Sequence, residues 1–267
     1  MSPDLAGRTA LITGGTAGVG LATGLALGRS GARCWLTYRW GSADPDDVRR
    51  QFAEVGAPEP VLVQSDVGSA DDQQALVEQL ASTVDRVDVF VSNAANAVVI
   101  RELEDWSLRG LQQSVRFAVW PTVGLTLALR EALGAPRYVV AMSSDGPDHY
   151  TVGYDAIAAT KAMLECVVRY LATRLRPEGT RVNAIRSRGI RTASFEAVFG
   201  PDLEAWSRAY VPQRWWVDPA DVGMAALALC SGRMDAVNGQ VLTIDRGSAF
   251  GDNLMRLFDD RDLLEGA

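Results

Sequence analysis

Short runs of apolar and β-branched residues alternate with longer amphipathic runs along nearly the whole chain. The short runs predict strands at residues 8–13, 32–38, 61–64, 87–92, 137–142, 181–185 and 240–245. The longer runs predict helices at residues 18–30, 46–55, 71–84, 103–133, 154–176 and 219–230, with Pro121 interrupting the fourth. Alternation of this kind requires right-handed crossovers and produces a mainly parallel sheet covered on both faces. The sequence therefore predicts a single doubly wound α/β domain that spans residues 1–267.

Composition restricts the functions open to such a domain. The 33 acidic and 26 basic side chains give a net charge of −7, which disfavours nucleic acid or an anionic membrane as the main partner. No apolar run reaches membrane-spanning length, and residues 1–7 do not form a signal peptide. The single histidine, His149, and three isolated cysteines disfavour a metal site or a Ser-His-Asp triad. We expect a cytoplasmic enzyme whose acid–base chemistry does not use histidine.

A glycine-rich turn, Thr13-Gly14-Gly15-Thr16-Ala17-Gly18-Val19-Gly20, connects the first predicted strand to the first predicted helix. Glycines let the backbone approach a pyrophosphate, which then meets the positive end of the helix. In a doubly wound sheet of the Rossmann type, this is where a dinucleotide binds. A plain strand-to-helix turn is the alternative. The predicted cofactor contacts in the turn are Gly14, Thr16, Gly18, Val19 and Gly20.

The end of the second predicted strand indicates which dinucleotide binds. An acidic residue there holds the ribose 2′-hydroxyl of NAD, whereas an arginine suits the 2′-phosphate of NADP. The sequence at this point is Thr37-Tyr38-Arg39-Trp40, and the first acid comes only at Asp44. We therefore predict NADPH as the cofactor, with Arg39 as its phosphate partner. The alternative is that Arg39 is a solvated surface charge.

The glycine-rich turn and several later motifs make the chain resemble the short-chain dehydrogenase/reductases over nearly its whole length. The Thr-Gly-x-x-x-Gly-x-Gly pattern at residues 13–20 is typical of that family, as are the segments at 181–185 and 239–245. Asp66-Val67 matches the position where the family contacts adenine, and Ser92-Asn93-Ala94-Ala95 resembles its Asn-Asn-Ala-Gly motif. The resemblance implies a dinucleotide-binding fold and a homo-oligomer, either a tetramer or a dimer. It adds Asp66, Val67, Asn93 and Ala94 to the predicted cofactor contacts.

The catalytic pattern of that family is Tyr-x-x-x-Lys on a long helix, with a serine on the strand before it and an asparagine on the preceding helix. By this resemblance Ser144 supplies the serine, and Lys161 supplies a lysine that also contacts the cofactor. Ile157 stands at the tyrosine position and Arg116 at the asparagine position, so an ordinary carbonyl-reducing site is incomplete. Arg116 is either a surface charge or a cation that reaches a carboxylate or phosphate of the substrate.

Tyr154 lies seven residues before Lys161, on nearly the same helix face as position 157 but about 4.5 Å farther along the axis. When an enoyl thioester is reduced, hydride enters the β-carbon while charge develops on the more distant thioester oxygen. A hydroxyl displaced along the helix suits that geometry. The alternative is a tyrosine that only packs at the start of the helix.

The Tyr-x6-Lys spacing is similar to that of the NADPH-dependent enoyl-acyl-carrier-protein reductases within this family. The similarity implies that Tyr154 stabilises and protonates the enolate, and that Lys161 holds the nicotinamide ribose and favours the charged intermediate. It also implies auxiliary roles for Tyr150 and Ser144. His149, in the same stretch, is interpreted as a loop residue rather than an acid.

The segment after the sixth predicted strand departs from the family pattern. Ser187-Arg188-Gly189-Ile190 replaces the usual Pro-Gly, while Thr192 matches a threonine that contacts the nicotinamide end of the cofactor. The following residues are expected to be irregular, and they are rich in aromatic side chains, namely Phe195, Phe199, Trp206, Tyr210, Trp215 and Trp216. We expect a substrate lid at about 188–216 over a bulky apolar pocket. The alternative is that these aromatics pack an oligomer interface.

The sequence therefore predicts an NADPH-dependent reductase of an activated C=C, with a small-molecule or carrier-bound acyl substrate linked to acyl carrier protein or CoA. Arg186, Arg188 and Arg191 form a basic cluster that suits an acidic carrier protein or a CoA phosphate. One alternative function is a ketoreductase acting on a polyketide-like or polycyclic ketone. Another is a catalytically silent NADP(H)-binding sensor.

Overall fold

The alternation of strands and helices builds a seven-stranded sheet in which all the paired strands run parallel. The computed structural model describes residues 4–39, 44–95, 98–190, 192–211 and 213–250, together with 255, 258 and 261. The strands are β1 (Thr9–Ile12), β2 (Arg33–Tyr38), β3 (Val61–Gln64), β4 (Val89–Ser92), β5 (Tyr138–Ser144), β6 (Arg181–Ser187) and β7 (Val241–Ile244). Their order across the sheet is β3-β2-β1-β4-β5-β6-β7. This confirms the predicted doubly wound, mainly parallel α/β domain of the Rossmann type.

Eight α-helices in the described residues cover the two faces of the sheet, and three short 3₁₀ helices connect elements. The α-helices are α1 (Gly18–Arg29), α2 (Pro45–Glu54), α3 (Ala70–Ala81), α4 (Leu108–Ala118), α5 (Trp120–Leu133), α6 (Asp155–Leu175), α7 (Ala193–Tyr210) and α8 (Pro219–Cys230). The 3₁₀ helices are Leu103–Asp105, Arg176–Glu178 and Gln213–Trp215. Among the described helices, none is both long enough and apolar enough to cross a membrane.

Neighbouring residues in each strand face opposite sides of the sheet, which produces two separate cores. Ile12 and Val91 point into one core, where they pack with buried side chains of α1, α2 and α8. Leu11 and Phe90, one residue earlier in each strand, point into the other core with side chains of α3, α5 and α6. Because both faces are buried at the centre of the sheet, β1 and β4 are almost entirely apolar and show no polar alternation.

The predicted long helix over residues 103–133 is interrupted at Val119, as Pro121 leads one to expect. α4 ends at Ala118 and α5 begins at Trp120, which places Pro121 in the first turn of α5. Proline is tolerated there because its missing N–H group would have no partner inside the helix.

The prediction of an irregular segment after residue 192 is wrong. Residues Ala193–Tyr210 form α7, which is kinked at Gly200, where φ is 80° and ψ is 165°. A left-handed φ of this kind suits glycine, since it has no Cβ to clash with the backbone. Because the kink breaks the helical periodicity of the apolar residues, the sequence pattern does not indicate one continuous helix. The 3₁₀ helix at Gln213–Trp215 follows α7.

Candidate active site

A cavity of about 690 Å³ opens at the carboxyl ends of the strands. The strand order reverses between β1 and β4, and at this position the chain leaves adjacent strands in opposite directions. Residues that directly follow β1, β2, β3, β4, β5 and β6 all contribute to the cavity wall. Of the predicted site residues, those on the wall are Gly14, Thr16, Gly18, Val19, Arg39, Asp66, Val67, Asn93, Ala94, Ser144, Tyr154, Lys161 and Thr192.

The first turn of α1 faces this cavity and is suited to an anion. The N-cap residue, Ala17, makes no side-chain hydrogen bond to the helix, and no acidic residue lies in the first turn. The first N–H groups of a helix have no partner within it, and they carry the positive end of the helix dipole. The turn therefore presents backbone donors to a phosphate group without a competing carboxylate.

Gly20 and Asn93 hold the glycine-rich turn in shape. Asn93 Nδ2 donates to the carbonyl oxygens of Thr13 and Gly14, at 3.0 Å in both cases. A Cβ at Gly20 would lie 2.1 Å from the Gly14 oxygen and 2.5 Å from Asn93 Nδ2, so only glycine fits there. Gly20 is absent from the cavity wall, and its contribution to the predicted cofactor site is this close packing.

Elsewhere on the cavity wall, the predicted phosphate partner Arg39 lies beside the carboxylate of Asp66 and the ring of Phe117. Arg39 Nε is 3.2 Å from Asp66 Oδ2, and the guanidinium carbon lies 5.1 Å from the centre of the Phe117 ring. Asp66 also accepts a hydrogen bond from the Gly68 amide at 2.9 Å, which fixes the loop after β3. Arg39 is therefore a cavity residue held in a defined position, in contrast to the alternative of a freely solvated charge.

Arg116, at the position of the family asparagine, does not reach this cavity. Arg116 is exposed on the surface of α4. Its Nε donates to the carbonyl oxygen of Gly68, and its guanidinium lies against the Phe117 ring. Arg116 is absent from the cavity wall. This arrangement agrees with the surface-charge alternative and not with a cation that contacts the substrate.

The opposite end of the cavity brings together Ser144, Tyr154, Ile157 and Lys161. Lys161 is buried, and its Nζ donates to the carbonyl oxygen of Met142 on β5 at 2.7 Å. Burial lowers the pKa of Lys161 to about 8, while the nearby Glu165 carboxylate acts in the opposite direction. Lys161 is also the only lysine among the 26 Lys and Arg residues of the chain, a signal that our sequence analysis missed.

Tyr154 stands at the N-terminal end of α6, one turn before Ile157, and both side chains line the cavity. Burial raises the pKa of Tyr154, the adjacent Ser144 hydroxyl lowers it, and the negative charge of Asp145 raises it. The net effect is an increase, so the phenol keeps its proton at neutral pH. It can therefore donate a hydrogen bond, and then a proton, to an oxygen that becomes negatively charged.

Tyr150 does not join this group, in contrast to the prediction. Its side chain is 85% exposed, and it is absent from the cavity wall. The segment between β5 and α6 turns away from the cavity at this point and returns to it only at Thr151 and Tyr154. His149 lies in the same segment, with Nδ1 3.8 Å from a carboxylate oxygen of Asp145, as expected for a loop residue.

Aromatic side chains of α7 cover the same end of the cavity. Phe199 stacks on Tyr154 with ring centres 6.0 Å apart, and Phe195 lies 4.7 Å from Phe199. Trp216 contacts Phe195 edge to face at 5.5 Å, which continues the cluster into the core. Of the remaining predicted aromatics, Trp206 is half-exposed, and the side chain of Tyr210 lies outside the described residues.

The predicted basic cluster is wrong for the two arginines that the structure describes. Arg186 pairs with Glu165 and with Asp148, and Arg188 pairs with Asp145 at 3.2 Å. Their charges are therefore neutralised within the chain and do not form a patch for an acidic carrier or a CoA phosphate. Arg191 lies outside the described residues.

Comparison with known proteins agrees with this geometry. A family model described as enoyl-(acyl carrier protein) reductase matches residues 14–249. The chain is 27% identical over 252 residues to the enoyl-(acyl-carrier-protein) reductase (NADH) FabI of Escherichia coli K12, and the match covers 91% of this chain and 94% of the relative. It is 31% identical over 192 residues to the 1-cyclohexenylcarbonyl-CoA reductase of Streptomyces collinus, and the match covers 71% of this chain and 67% of the relative.

The fold is shared with solved structures of several dehydrogenases and reductases, and one of them is an enoyl-(acyl-carrier-protein) reductase. The crystal structure of an NADH enoyl-(acyl-carrier-protein) reductase from Aquifex aeolicus superimposes with a TM-score of 0.79. The match covers 93% of this chain and 98% of that structure, at 26% sequence identity. The shared fold therefore extends over nearly the whole chain.

Proposed function

Because the chain belongs to the short-chain dehydrogenase/reductase family, within the group that the enoyl-(acyl carrier protein) reductase model describes, we propose that it reduces the activated C=C of an enoyl thioester with NADPH. The observation that carries this proposal is the order of three side chains on one cavity wall. Tyr154, Ile157 and Lys161 all line the cavity, with an aliphatic side chain where a tyrosine would serve carbonyl reduction. Among the described residues of that wall, the only tyrosine near Lys161 is Tyr154, which stands one helix turn farther from the lysine than position 157 does.

The chain fits a dinucleotide at the other end of the same cavity. The uncapped first turn of α1 offers donors to a pyrophosphate, and the missing Cβ of Gly20 allows the glycine-rich turn to close behind it. When it is bound, the dinucleotide supplies the hydride that reduces the double bond. The residues of the chain then have to orient the acyl group, stabilise negative charge on the thioester oxygen and deliver one proton.

Tyr154 and Lys161 have the properties that these tasks require. The raised pKa of Tyr154 keeps its hydroxyl protonated, so it donates a hydrogen bond to the thioester oxygen as charge develops there. Below a pH of about 8, Lys161 is positively charged and adds electrostatic stabilisation to the same region. Phe195 and Phe199 cover this end of the cavity, and their rings exclude water from the reacting atoms.

Two further observations support parts of this proposal. The names of two relatives specify an acyl-carrier-protein and a CoA substrate, which supports a thioester as the activating group. The preference for NADPH is supported by Arg39, which stands at the end of β2 on the cavity wall where a 2′-phosphate would lie. The enoyl reductase relatives are named for NADH, so this preference depends on Arg39 in the present chain.

The test measures NADPH oxidation with crotonyl-CoA and acetoacetyl-CoA in parallel. We expect turnover of the enoyl thioester, with kcat lowered about 100-fold or more in Tyr154→Phe, since this variant removes the proton donor. Tyr170→Phe is the matched control, because Tyr170 is an exposed tyrosine of α6 far from the cavity wall, and it should leave kcat unchanged.

A second variant tests the spacing itself. Tyr154→Phe combined with Ile157→Tyr returns the phenol to the position four residues before Lys161, and we expect it to gain acetoacetyl-CoA reduction. Turnover of only the keto thioester by the native chain would replace the proposed function with a ketoreductase. Binding of NADPH without turnover of either substrate would favour a sensor.

A further inference from the structure

A buried ion pair lies directly beneath the site and has no role in the reaction as described so far. Glu165 follows Lys161 by one turn of α6 and is only 3% exposed. Its carboxylate accepts two hydrogen bonds from Arg186, at 3.0 and 2.6 Å, and one from the Ser143 hydroxyl at 2.7 Å. Burying a carboxylate is costly unless it is paired in this way, so the arrangement requires an explanation.

The ion pair is connected to the reacting groups through β5. Ser143 stands between Met142, whose carbonyl oxygen accepts the Lys161 hydrogen bond, and Ser144, which lines the cavity. Lys161 and Glu165 therefore attach to adjacent residues of the same strand end. The parallel register pairs Ser143 with Arg186 on β6, so the arginine that holds Glu165 is fixed by the sheet itself.

We propose that Glu165 is a positioning residue for Lys161: its carboxylate, fixed by Ser143 and Arg186, ties α6 to the end of β5 so that the ammonium group meets the Met142 carbonyl oxygen, and its negative charge acts on that ammonium group across one turn of the helix. This inference deepens the proposed function and rests on it, because Lys161 acts there on the reacting atoms. It also accounts for Arg186 on β6, whose guanidinium bridges from Glu165 to Asp148 in the segment that precedes Tyr154.

The other charged and titratable groups around Lys161 are few in the described residues. Tyr154, Asp145 and Arg188 share the cavity wall with it, and Arg188 forms an ion pair with Asp145. On α4, the helix that packs against α6, Arg109 is exposed and Arg116 points to the Gly68 carbonyl. Burial is the largest influence on the pKa of Lys161 and lowers it to about 8, and Glu165 is the group that raises it.

A direct titration of Lys161 tests the proposal without any substrate. Because the chain has one lysine, protein labelled with ¹³C at the lysine Cε gives a single resonance whose chemical shift reports the charge of Lys161. We expect Glu165→Gln, which keeps the shape of the side chain but removes its charge, to lower this pKa by about one unit. Glu165→Asp, which keeps the charge, should restore most of the difference, and Glu178→Gln at an exposed ion pair should change nothing.

Activity provides the second readout. If Lys161 acts in its charged form, the alkaline limb of kcat for crotonyl-CoA should move to lower pH in Glu165→Gln by the shift found in the titration. If Glu165→Gln fails to fold, Glu165→Asp is titrated in its place, and its shorter side chain should lower the pKa of Lys161 by less than Glu165→Gln. An unchanged Lys161 titration in a folded variant would overturn the proposal. A shifted titration in a protein without enoyl reductase activity would overturn the proposed function and leave the positioning role intact.

Discussion

At the scale of single residues, the site depends on side chains whose immediate neighbours determine what they can do. Arg39 is the clearest case, because a guanidinium at the end of β2 is useful to a 2′-phosphate only if it faces the cavity. The carboxylate of Asp66 and the ring of Phe117 hold it there. The same acid would oppose a 2′-phosphate if Arg39 were absent, so the arginine determines the sign of the local charge.

This leads to a prediction about cofactor choice. Arg39→Gln removes the charge-assisted hydrogen bonds to the 2′-phosphate and leaves the Asp66 carboxylate without its cation, so we expect NADPH binding to weaken about tenfold or more. NADH binding should change little. Fluorescence titration of both dinucleotides measures the two dissociation constants, with Arg49→Gln on the exposed face of α2 as the control. An equal loss for both dinucleotides would assign Arg39 to a part of the cofactor that they share.

At the scale of elements, α7 matters because it covers the end of the cavity where Tyr154 lies. Thr192 caps α7 by accepting a hydrogen bond from the Phe195 amide, and its own position on the cavity wall fixes where the helix begins. One face of α7 then places Phe195 and Phe199 over Tyr154. A parallel bridge between Ile190 and Val217 joins the chain just before α7 to the chain just before α8.

We expect Phe199→Ala to separate substrate binding from cofactor binding. The variant removes the ring that stacks on Tyr154, so an acyl group loses both an apolar contact and the orientation of the phenol. The KM for the enoyl thioester should rise about tenfold, as expected for one lost aromatic contact, while the dissociation constant of the dinucleotide stays the same. Steady-state kinetics and fluorescence titration check the two constants. Leu203→Ala, farther along α7 and partly exposed, is the matched control. A parallel loss of dinucleotide binding would show that Phe199 supports the cofactor end instead.

At the scale of the whole molecule, the cofactor end depends on helix packing far from the cavity. α1 carries the anion-binding turn, and α8 packs against its middle so closely that Gly223 has no room for a side chain. A Cβ at Gly223 would lie 2.6 Å from the carbonyl oxygen of Ala22. Because that neighbour is backbone, it cannot rotate away, and the two helices would have to separate.

Gly223→Ala should therefore lower both stability and dinucleotide affinity. We expect the free energy of unfolding to fall by about 1–3 kcal/mol, a typical cost of overpacking, as measured by urea denaturation. Dinucleotide binding should weaken as well, since α1 carries the turn that meets the pyrophosphate. Met224→Ala on the exposed side of the same helix should change stability by no more than about 0.5 kcal/mol. An unchanged free energy of unfolding in Gly223→Ala would mean that α1 and α8 can move apart without loss of stability.

Local patterns in the sequence were sufficient for the fold class and for every strand, although they missed α7. The strands are short runs rich in apolar and β-branched residues, and both the parallel sheet and the position of the cavity follow from how such runs can be connected. The same is true of the glycine-rich turn and of the Tyr-x6-Lys spacing, because four or seven residues along one helix define a face directly. These features depend on neighbours in the chain, which a sequence shows in full.

Contacts between distant segments were decided only by the tertiary structure. Arg186 and Arg188 stand beside Arg191 in the sequence and predict a basic patch, yet the sheet carries Glu165, Asp148 and Asp145 to them and cancels their charge. Tyr150, four residues before Tyr154, shares its chemistry but is directed into solvent by the path of the β5–α6 segment. The sequence alone thus determined the architecture, the glycine-rich turn after β1 and the placement of Tyr154 and Lys161 on one face of α6. The packing of remote elements decided which charges remain available and which side chains meet, because an ion pair or a ring contact depends on distance in space rather than on separation along the chain.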